Sequence, residues 1–185
     1  MFKSKSFLTM DCGANTLKMA EFEPNESGGL RLKRYALQSM GAEGASDSTR
    51  EQALTKTIGE VLASAKFTSK KVNICAPGYH VFSKFVKLPP VDSAKITQII
   101  QFEAQQNVPF PLEEVAWDYQ IVGTSPGGEF EVFLVAIKSD AVESLFKAVE
   151  GNGLSPALVD VSTAALSNAF RFNYQELDGC SMLLD

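Results

Sequence analysis

Histidine is almost missing from this chain: His80 is the only one in 185 residues. That excludes poly-histidine metal sites and most nucleophile–histidine triads. His80 itself follows Pro77-Gly78-Tyr79, a turn signal. Cysteine is nearly as sparse. Cys12, Cys75 and Cys180 are odd in number, far apart and near expected strand ends, and no C-x-x-C pair exists to hold zinc. They read as small buried hydrophobes of a reducing compartment. No apolar run reaches the ~18 residues that a membrane span needs. The opening Met1–Phe7 stretch has two lysines but no apolar h-region, so no secretory signal and no direct membrane insertion are expected, and the chain is placed in the cytoplasm. Two nucleotide motifs are absent as well: neither G-x-x-x-x-G-K-[ST] nor a G-x-G-x-x-G after a strand occurs. Any chemistry therefore falls to carboxylates, lysines or a bound metal-nucleotide.

What is present is a chain with 45% hydrophobic and 21% charged residues and a formal net charge of -5. At roughly 100–200 residues per domain that allows one domain or two small ones with a real core. The charge is uneven: +5 through Leu88, -7 from Pro89 to Glu150 and -3 beyond. The basic cluster Arg31, Lys33 and Arg34 has no recognition motif beside it, so nucleic acid is not expected as a partner. A solvated strand face or complementarity to a protein partner fits it better.

Along the chain, 7–11 and Thr16–Glu23 read as strands joined by the turn Cys12-Gly13-Ala14-Asn15, and Leu30–Gln38 as a third strand. Ser48-Thr49-Arg50-Glu51 has the capping-box pattern, and Leu54, Ile58, Val61, Leu62 and Ala65 recur at helical spacing, predicting a helix over 49–66. Lys71–Ala76 is a fourth strand. A second unit opens near Val81: strand Phe82–Leu88, a helix with Ile96, Ile99, Ile100 and Ala104 on one face, then strands Val115–Val122 and Phe130–Lys138 joined at Ser125-Pro126-Gly127-Gly128. Asp140–Gly151 is a helix closed by Gly153 and Leu154. Strand Pro156–Asp160, helix Val161–Asn173 and strand Cys180–Asp185 complete the order. The class is α/β, a mixed sheet with helices plus a small inserted α+β subdomain. The expected boundaries are 1–80 with 153–185, and 81–152.

The segment that invites chemistry is Asp11-Cys12-Gly13-Ala14-Asn15-Thr16-Leu17-Lys18. An acid at a strand end holds a divalent metal through water, a following glycine lets backbone N–H groups approach phosphate, and Lys18 supplies a point charge. A plain β-hairpin explains the same residues. The segment resembles the first phosphate loop of the actin-like (ribonuclease H-like) ATPase superfamily. More narrowly, almost the whole chain, Phe7 to Asp185, resembles the PilM family of the type IV pilus assembly platform. The resemblance rests on Asp11-x-Gly13 through Lys18-Met19-Ala20-Glu21-Phe22, Lys87-Leu88-Pro89 and Phe102-Glu103-Ala104. It continues through Val108-Pro109-Phe110-Pro111-Leu112-Glu113-Glu114-Val115, Asp118-Tyr119-Gln120 and Leu154-x-Pro156 to Val161. Ala14 and Asn15 stand where the family loop commonly has serines, and Cys12 at an aliphatic position.

The resemblance implies ATP and Mg in the intact family member, with Asp11, Gly13, Asn15, Thr16 and Lys18 at the first loop and Asp185 opening the second. Family members run to roughly twice this length. The chain then corresponds to the first domain with its inserted subdomain, whether cut at this point or naturally short. Nucleotide in this superfamily sits between two halves, so this chain alone is expected to bind none. The implied partner is the short N-terminal cytoplasmic peptide of a PilN-type inner-membrane protein, with an Asn-Leu-Leu-Pro-like core, held in a cleft between the first domain and the inserted subdomain. Phe85, Leu88, Ile99, Phe102 and Tyr119 are the candidate docking residues. Other platform proteins are further implied partners, and the place is the inner face of the inner membrane, through the partner. The alternatives are an ATPase or small-molecule kinase of the superfamily, or an FtsA-like cell-division scaffold. An unpaired last strand at Cys180–Asp185 also invites self-association.

Beside these stand plainer readings. Pro109-Phe110-Pro111 either anchors Phe110 in the core or shapes a groove wall. Asp118 is a groove residue or an ion-pair partner of Lys84 or Lys87. Trp117 and Tyr119 share an inward strand face with Val115 and Ile121, while Glu103, Glu113 and Glu114 form a solvated acidic face.

Overall fold

The computed structural model describes residues 6–90, 93–174, 179 and 181–183. The chain divides into two compact units, Met1–Gly78 with Ser144–Asp185, and Tyr79–Glu143.

The first unit is built on a five-stranded sheet of β1 (Phe7–Cys12), β2 (Thr16–Pro24), β3 (Leu30–Ser39), β4 (Lys71–Ala76) and β8 (Ser155–Val161), in the order β3-β2-β1-β4-β8. β1, β2 and β3 form an antiparallel meander, while β4 and β8 run parallel to β1. Alternation sets the faces: Leu8, Met10, Cys12, Leu17, Met19, Val72, Ile74 and Ala76 are buried, while their neighbours in sequence point the other way. Helix α1 (Asp47–Ala65) contributes Leu54, Ile58 and Val61 to the core, as the helical spacing predicted. It starts at Asp47 rather than 49. Its N-cap is Ser46, whose side chain makes no capping bond, and Ser48 lies inside the first turn. Thr49 closes that turn instead, its hydroxyl donating to the Glu43 carbonyl at 2.8 Å.

One acid belongs to this core. Glu21 on β2 is fully buried. Its carboxylate accepts the Ser6 hydroxyl at 2.9 Å, the Thr68 N–H at 3.3 Å and the Ser69 N–H at 3.2 Å, together with the Thr68 hydroxyl. Arg34 of β3 stands 3.3 Å away through Nε and also donates to the Lys66 carbonyl. The chain leaves α1 through Lys66 in a left-handed conformation, φ 51°, and these bonds fix the segment that returns it to β4. Burial alone raises the Glu21 pKa, but the hydrogen bonds from Thr68 and Ser6, with the Lys33 charge nearby, bring it below the ordinary value.

A bulge in β3 also matters. The β2–β3 register slips between Glu21 and Phe22, so Arg34 opposes Glu21 while Leu32 opposes Phe22. The slip places Leu30 and Leu32 on the same side of the sheet as Tyr35 and Leu37, despite their opposite parity in sequence.

The second unit is a three-stranded antiparallel sheet, ordered β5-β7-β6, of β5 (Val81–Leu88), β6 (Val115–Thr124) and β7 (Phe130–Lys138). Helix α2 (Ser93–Asn107) covers one face. Ile100 and Ala104 of the helix pack with Val86, Leu88, Val115, Val132, Leu134 and Ala136, and Trp117 and Tyr119 close against them as expected. The β6–β7 turn is tied by Ser125 N–H to the Glu129 carbonyl at 2.8 Å and by Gly128, at φ 83°. Helix α3 (Ser139–Glu150) crosses the division between units, which falls inside it rather than at 153. Its buried Leu145, Ala148 and Val149 are no part of the second unit's core. Gly153 takes the left-handed conformation at φ 70°, and the Leu154 N–H reaches back to the Val149 carbonyl at 3.3 Å. Helix α4 (Ser162–Asn173) follows β8 and has no buried residue. Of the expected last strand, residues 181–183 have no regular structure, and Cys180, Leu184 and Asp185 lie outside the described residues. None of the helices is long and apolar enough to cross a membrane, among the described residues.

Candidate functional site

Strand pairing lines up a row of side chains on the open face of the first unit's sheet: Leu37, Lys18, Asp11, Cys75 and Asp160, each opposite the next. The row below it is Tyr35, Ala20, Thr9, Asn73 and Leu158. Small residues in the middle and large ones at the ends leave a cavity of about 320 Å³, with Ala165 of α4 on its wall. The upper row is its polar rim. Asp11 and Lys18 pair across the hairpin at 2.9 Å, both partly exposed, and the Asp160 carboxylate accepts the N–H of Val161 at 2.8 Å. Surface exposure holds the Asp11–Lys18 pair to about a few tenths of a kcal/mol of stability, so its importance is its place rather than its energy.

Gly13 and Asn15 lie beside this rim in the β1–β2 turn, and Arg50 shapes that turn. Arg50 is only 8% exposed. It donates through Nη2 to the carbonyls of Cys12 (2.7 Å) and Gly13 (3.0 Å), and through Nη1 to those of Gly44 (2.5 Å) and Ala14 (3.3 Å). The Asn15 carbonyl accepts the Met40 N–H at 2.8 Å. In a trans peptide the N–H points opposite to the carbonyl before it. The N–H groups of Gly13, Ala14 and Asn15 therefore face away from Arg50. A side chain at Gly13 would bring its Cβ to 2.9 Å from the Thr16 carbonyl oxygen, so the turn needs glycine there. Asp11, Gly13, Asn15, Thr16 and Lys18, grouped by sequence, are thus together; Asp185 lies outside the described residues. Sequence reasoning missed Arg50, Cys75 and Asp160. Arg50 was detectable, because it sits one turn before Leu54 on the apolar stripe, where a charge demands buried partners.

Cys12 lies at the end of β1 with its thiol inward. Burial, offset in part by Arg50, pushes its pKa up to about 12. It is expected to stay unlabelled by iodoacetamide at pH 8 in the folded protein and to react at the ordinary thiol rate in urea. Labelling of native Cys12 within minutes, read by peptide mass spectrometry, would contradict its burial.

In the second unit the five candidate docking residues separate. Leu88 is fully buried in the core and has no side-chain surface for a partner. Ile99 and Tyr119 pack against the same core, Tyr119 with its hydroxyl 3.4 Å from that of Thr97. Phe102 (56% exposed) and Phe85 (68% exposed) remain open. They lie on opposite sides, Phe102 on α2 and Phe85 on the sheet face turned away from it, because the residues that alternate with Phe85, Val86 and its face-mates, are the ones that meet α2. Two other expectations change. Asp118 pairs with neither lysine: it accepts the Tyr119 N–H at 2.8 Å, while Lys84 donates to the Asn107 side chain at 2.6 Å and Lys87 stands 3.7 Å from Glu131. Strand parity puts Asp118 on the face opposite Lys84. Phe110 is exposed rather than a core anchor, with the Lys138 ammonium 4.9 Å above its ring.

Comparison with known proteins adds the family. The family model for type IV pilus assembly protein PilM matches residues 9–181. Among solved structures, the chain is similar to a PilM-PilN type IV pilus biogenesis complex, with TM-score 0.75 and 24% identity, covering 92% of this chain and 51% of that one. It is also similar to the cytoplasmic domain of EpsL, an inner membrane component of the type II secretion system of Vibrio cholerae. There the TM-score is 0.54 at 12% identity, over 85% of this chain and 57% of that one. Both likenesses establish the actin-like α/β fold, and the chain spans about half the length of the PilM chain it matches. With a family match over nearly all of its length, the chain belongs to the PilM family of type IV pilus assembly proteins.

Proposed function

We propose that the chain is a scaffold of type IV pilus assembly that captures the short N-terminal cytoplasmic peptide of a PilN-type inner-membrane protein, beside its inserted unit. It acts by binding rather than by catalysis. The observation that carries this reading is the family match over residues 9–181, together with the likeness to a PilM solved with PilN. Exposed aromatic surface on the inserted unit supports it, since extended peptides are held by apolar pockets and strand edges. The scaffold then sits at the cytoplasmic face of the inner membrane through its partner.

The nucleotide reading is kept for the intact family member. The β1–β2 turn suits phosphate in its donor set: outward N–H groups of Gly13, Ala14 and Asn15, with Lys18 and the Asp11 carboxylate beside them. ATP with Mg would bring a phosphate charge there. What this chain's residues do is present donors and hold the turn, through Arg50.

The test is fluorescence anisotropy of a labelled peptide with an Asn-Leu-Leu-Pro core, titrated with the folded chain against a scrambled peptide. Saturable binding of the first and not the second is expected. A flat titration for both would sink the scaffold reading of this half.

A further inference from the structure

The basic cluster Arg31, Lys33 and Arg34 lies on β3, one edge of the first unit's sheet. β3 pairs with β2 alone among the described residues, so one side of its backbone has no strand beside it. Its ten residues include three cations and no carboxylate. Leu30, Leu32, Tyr35 and Leu37 stand on the open face of the sheet, 48–66% exposed. Four large apolar side chains in a row on an edge exceed the scattered exposure of an ordinary surface. Tyr35 and Leu37 also line the cavity on this face.

The bulge sorts the charges. Arg34 turns to the other face, where it meets Glu21 and the Lys66 carbonyl, and Arg31 pairs with Glu23 at 2.6 Å. Lys33, the extra residue of the bulge, is exposed, and so is Lys66 where α1 ends. Glu26 lies before the strand, in the β2–β3 loop. Positive charge therefore outlasts the internal pairs along this edge, and it selects the occupant. A second copy pairing through β3 would set Arg31, Lys33 and Arg34 near their own counterparts, across a strand that the bulge bends. A basic segment is repelled in the same way. A lipid surface suits the lysines but has no backbone ladder to complete the edge. An extended segment with apolar residues on one face and carboxylates on the other meets the open ladder, the apolar row and the cations together.

We infer that β3 is a docking edge for an acidic strand of another protein. The strand adds to the outer side of β3, lays apolar side chains along Leu30, Leu32, Tyr35 and Leu37, and sets carboxylates beside Lys33 and Lys66. This surface takes a different partner from the PilN-type peptide and does not rest on its capture. A core of Asn-Leu-Leu-Pro has no carboxylate, and its proline lacks the N–H that a strand ladder needs.

The test titrates the whole chain into a labelled peptide of alternating glutamate and valine, with a lysine–valine peptide as control, read by fluorescence anisotropy. Saturable binding of the first alone is expected, weakening as salt rises. Lys33→Glu with Lys66→Glu is expected to weaken it at least about tenfold, and Leu32→Ser with Leu37→Ser by a similar factor. Lys95→Glu on α2 leaves it within a factor of about two. The altered side chains are exposed, so the variants should fold, and circular dichroism verifies that. Independently of any variant, hydrogen exchange of the unaltered chain is expected to slow at Leu30–Ser39 with the acidic peptide and to stay unchanged there with the Asn-Leu-Leu-Pro peptide. No binding of the glutamate–valine peptide overturns the proposal, as does exchange that slows elsewhere and not at β3. Sedimentation with phosphatidylglycerol vesicles, lost in the Lys33→Glu, Lys66→Glu variant while the peptide stays unbound, overturns it in favour of a lipid surface. A dimer whose exchange slows at β3 overturns it in favour of self-pairing. Each of these outcomes leaves the scaffold reading standing, since that reading is tested with the other peptide.

Discussion

Replacing Glu21 with alanine is expected to destabilise the first unit by about 3–5 kcal/mol, the cost of breaking a buried charged pair and orphaning its donors. The Thr68 and Ser69 N–H groups and the Arg34 guanidinium all meet the Glu21 carboxylate and lose it together. Glu21→Gln keeps the shape but aims an NH2 group at a shell made of donors, so it recovers little of the loss. Urea denaturation at pH 7, followed by circular dichroism, measures both variants. A cost below about 1 kcal/mol, the worth of a single ordinary hydrogen bond, would show that this shell contributes nothing beyond packing. The pH dependence has a definite sign. The native pKa lies below the ordinary carboxylate value, so folding favours the ionised form. The stabilisation is complete above the unfolded pKa, about 4.3, and is lost as pH falls through the lowered native value. Wild type should therefore lose stability more steeply than Glu21→Gln on acidification below that point, and the two curves should converge at low pH. Parallel curves would mean that Glu21 does not titrate with unfolding.

Arg50→Met is the second large effect, with an expected cost of about 2–4 kcal/mol from buried carbonyls left without donors. Methionine matches the length and apolar stem of arginine, so the loss isolates the guanidinium. Arg50→Lys, one point charge in place of a planar fork, should fall between the two. Hydrogen exchange separates this from generic destabilisation: Gly13–Thr16 should exchange faster in Arg50→Met under native conditions, while β4 keeps its protection. Uniform acceleration across the unit would show that Arg50 packs the core without shaping the turn. The turn matters because the direction of its N–H groups follows from carbonyls pulled inward, and the phosphate contact proposed above for the intact family member depends on that direction.

Most elements were legible because their signals are local. The helix stripe Leu54–Ile58–Val61 is buried as spaced, and the turns at Gly128 and Gly153 take the positive φ that glycine allows. The start of α1 was misread because Ser48 looked like a cap, whereas the helix begins at Asp47 after Ser46 with no side-chain capping bond, and Thr49 donates its hydroxyl to the Glu43 carbonyl, a contact that the periodic pattern does not contain. Of the two readings of Phe110, the core anchor fails for a similar reason. The prolines at 109 and 111 dictate an extended backbone, but which way the ring turns depends on Lys138, far along the chain.

The candidate docking residues show the same boundary. Apolar character and nearness to the junction of the first domain and its insert selected Phe85, Leu88, Ile99, Phe102 and Tyr119, and those criteria cannot tell the two faces of a sheet apart. Alone, the sequence determined the element order, the α/β class, the family resemblance and the hairpin that gathers Asp11, Gly13, Asn15, Thr16 and Lys18, since each depends on residues close in the chain. Tertiary structure alone decided that Glu21 is a buried carboxylate, that Arg50 clamps the turn, that Asp160 joins Asp11 across Cys75, and that Phe85 stands open while Leu88 is sealed. Those outcomes depend on strand order and register, which bring together residues up to 149 positions apart in the chain, and on which face of a sheet a helix happens to cover.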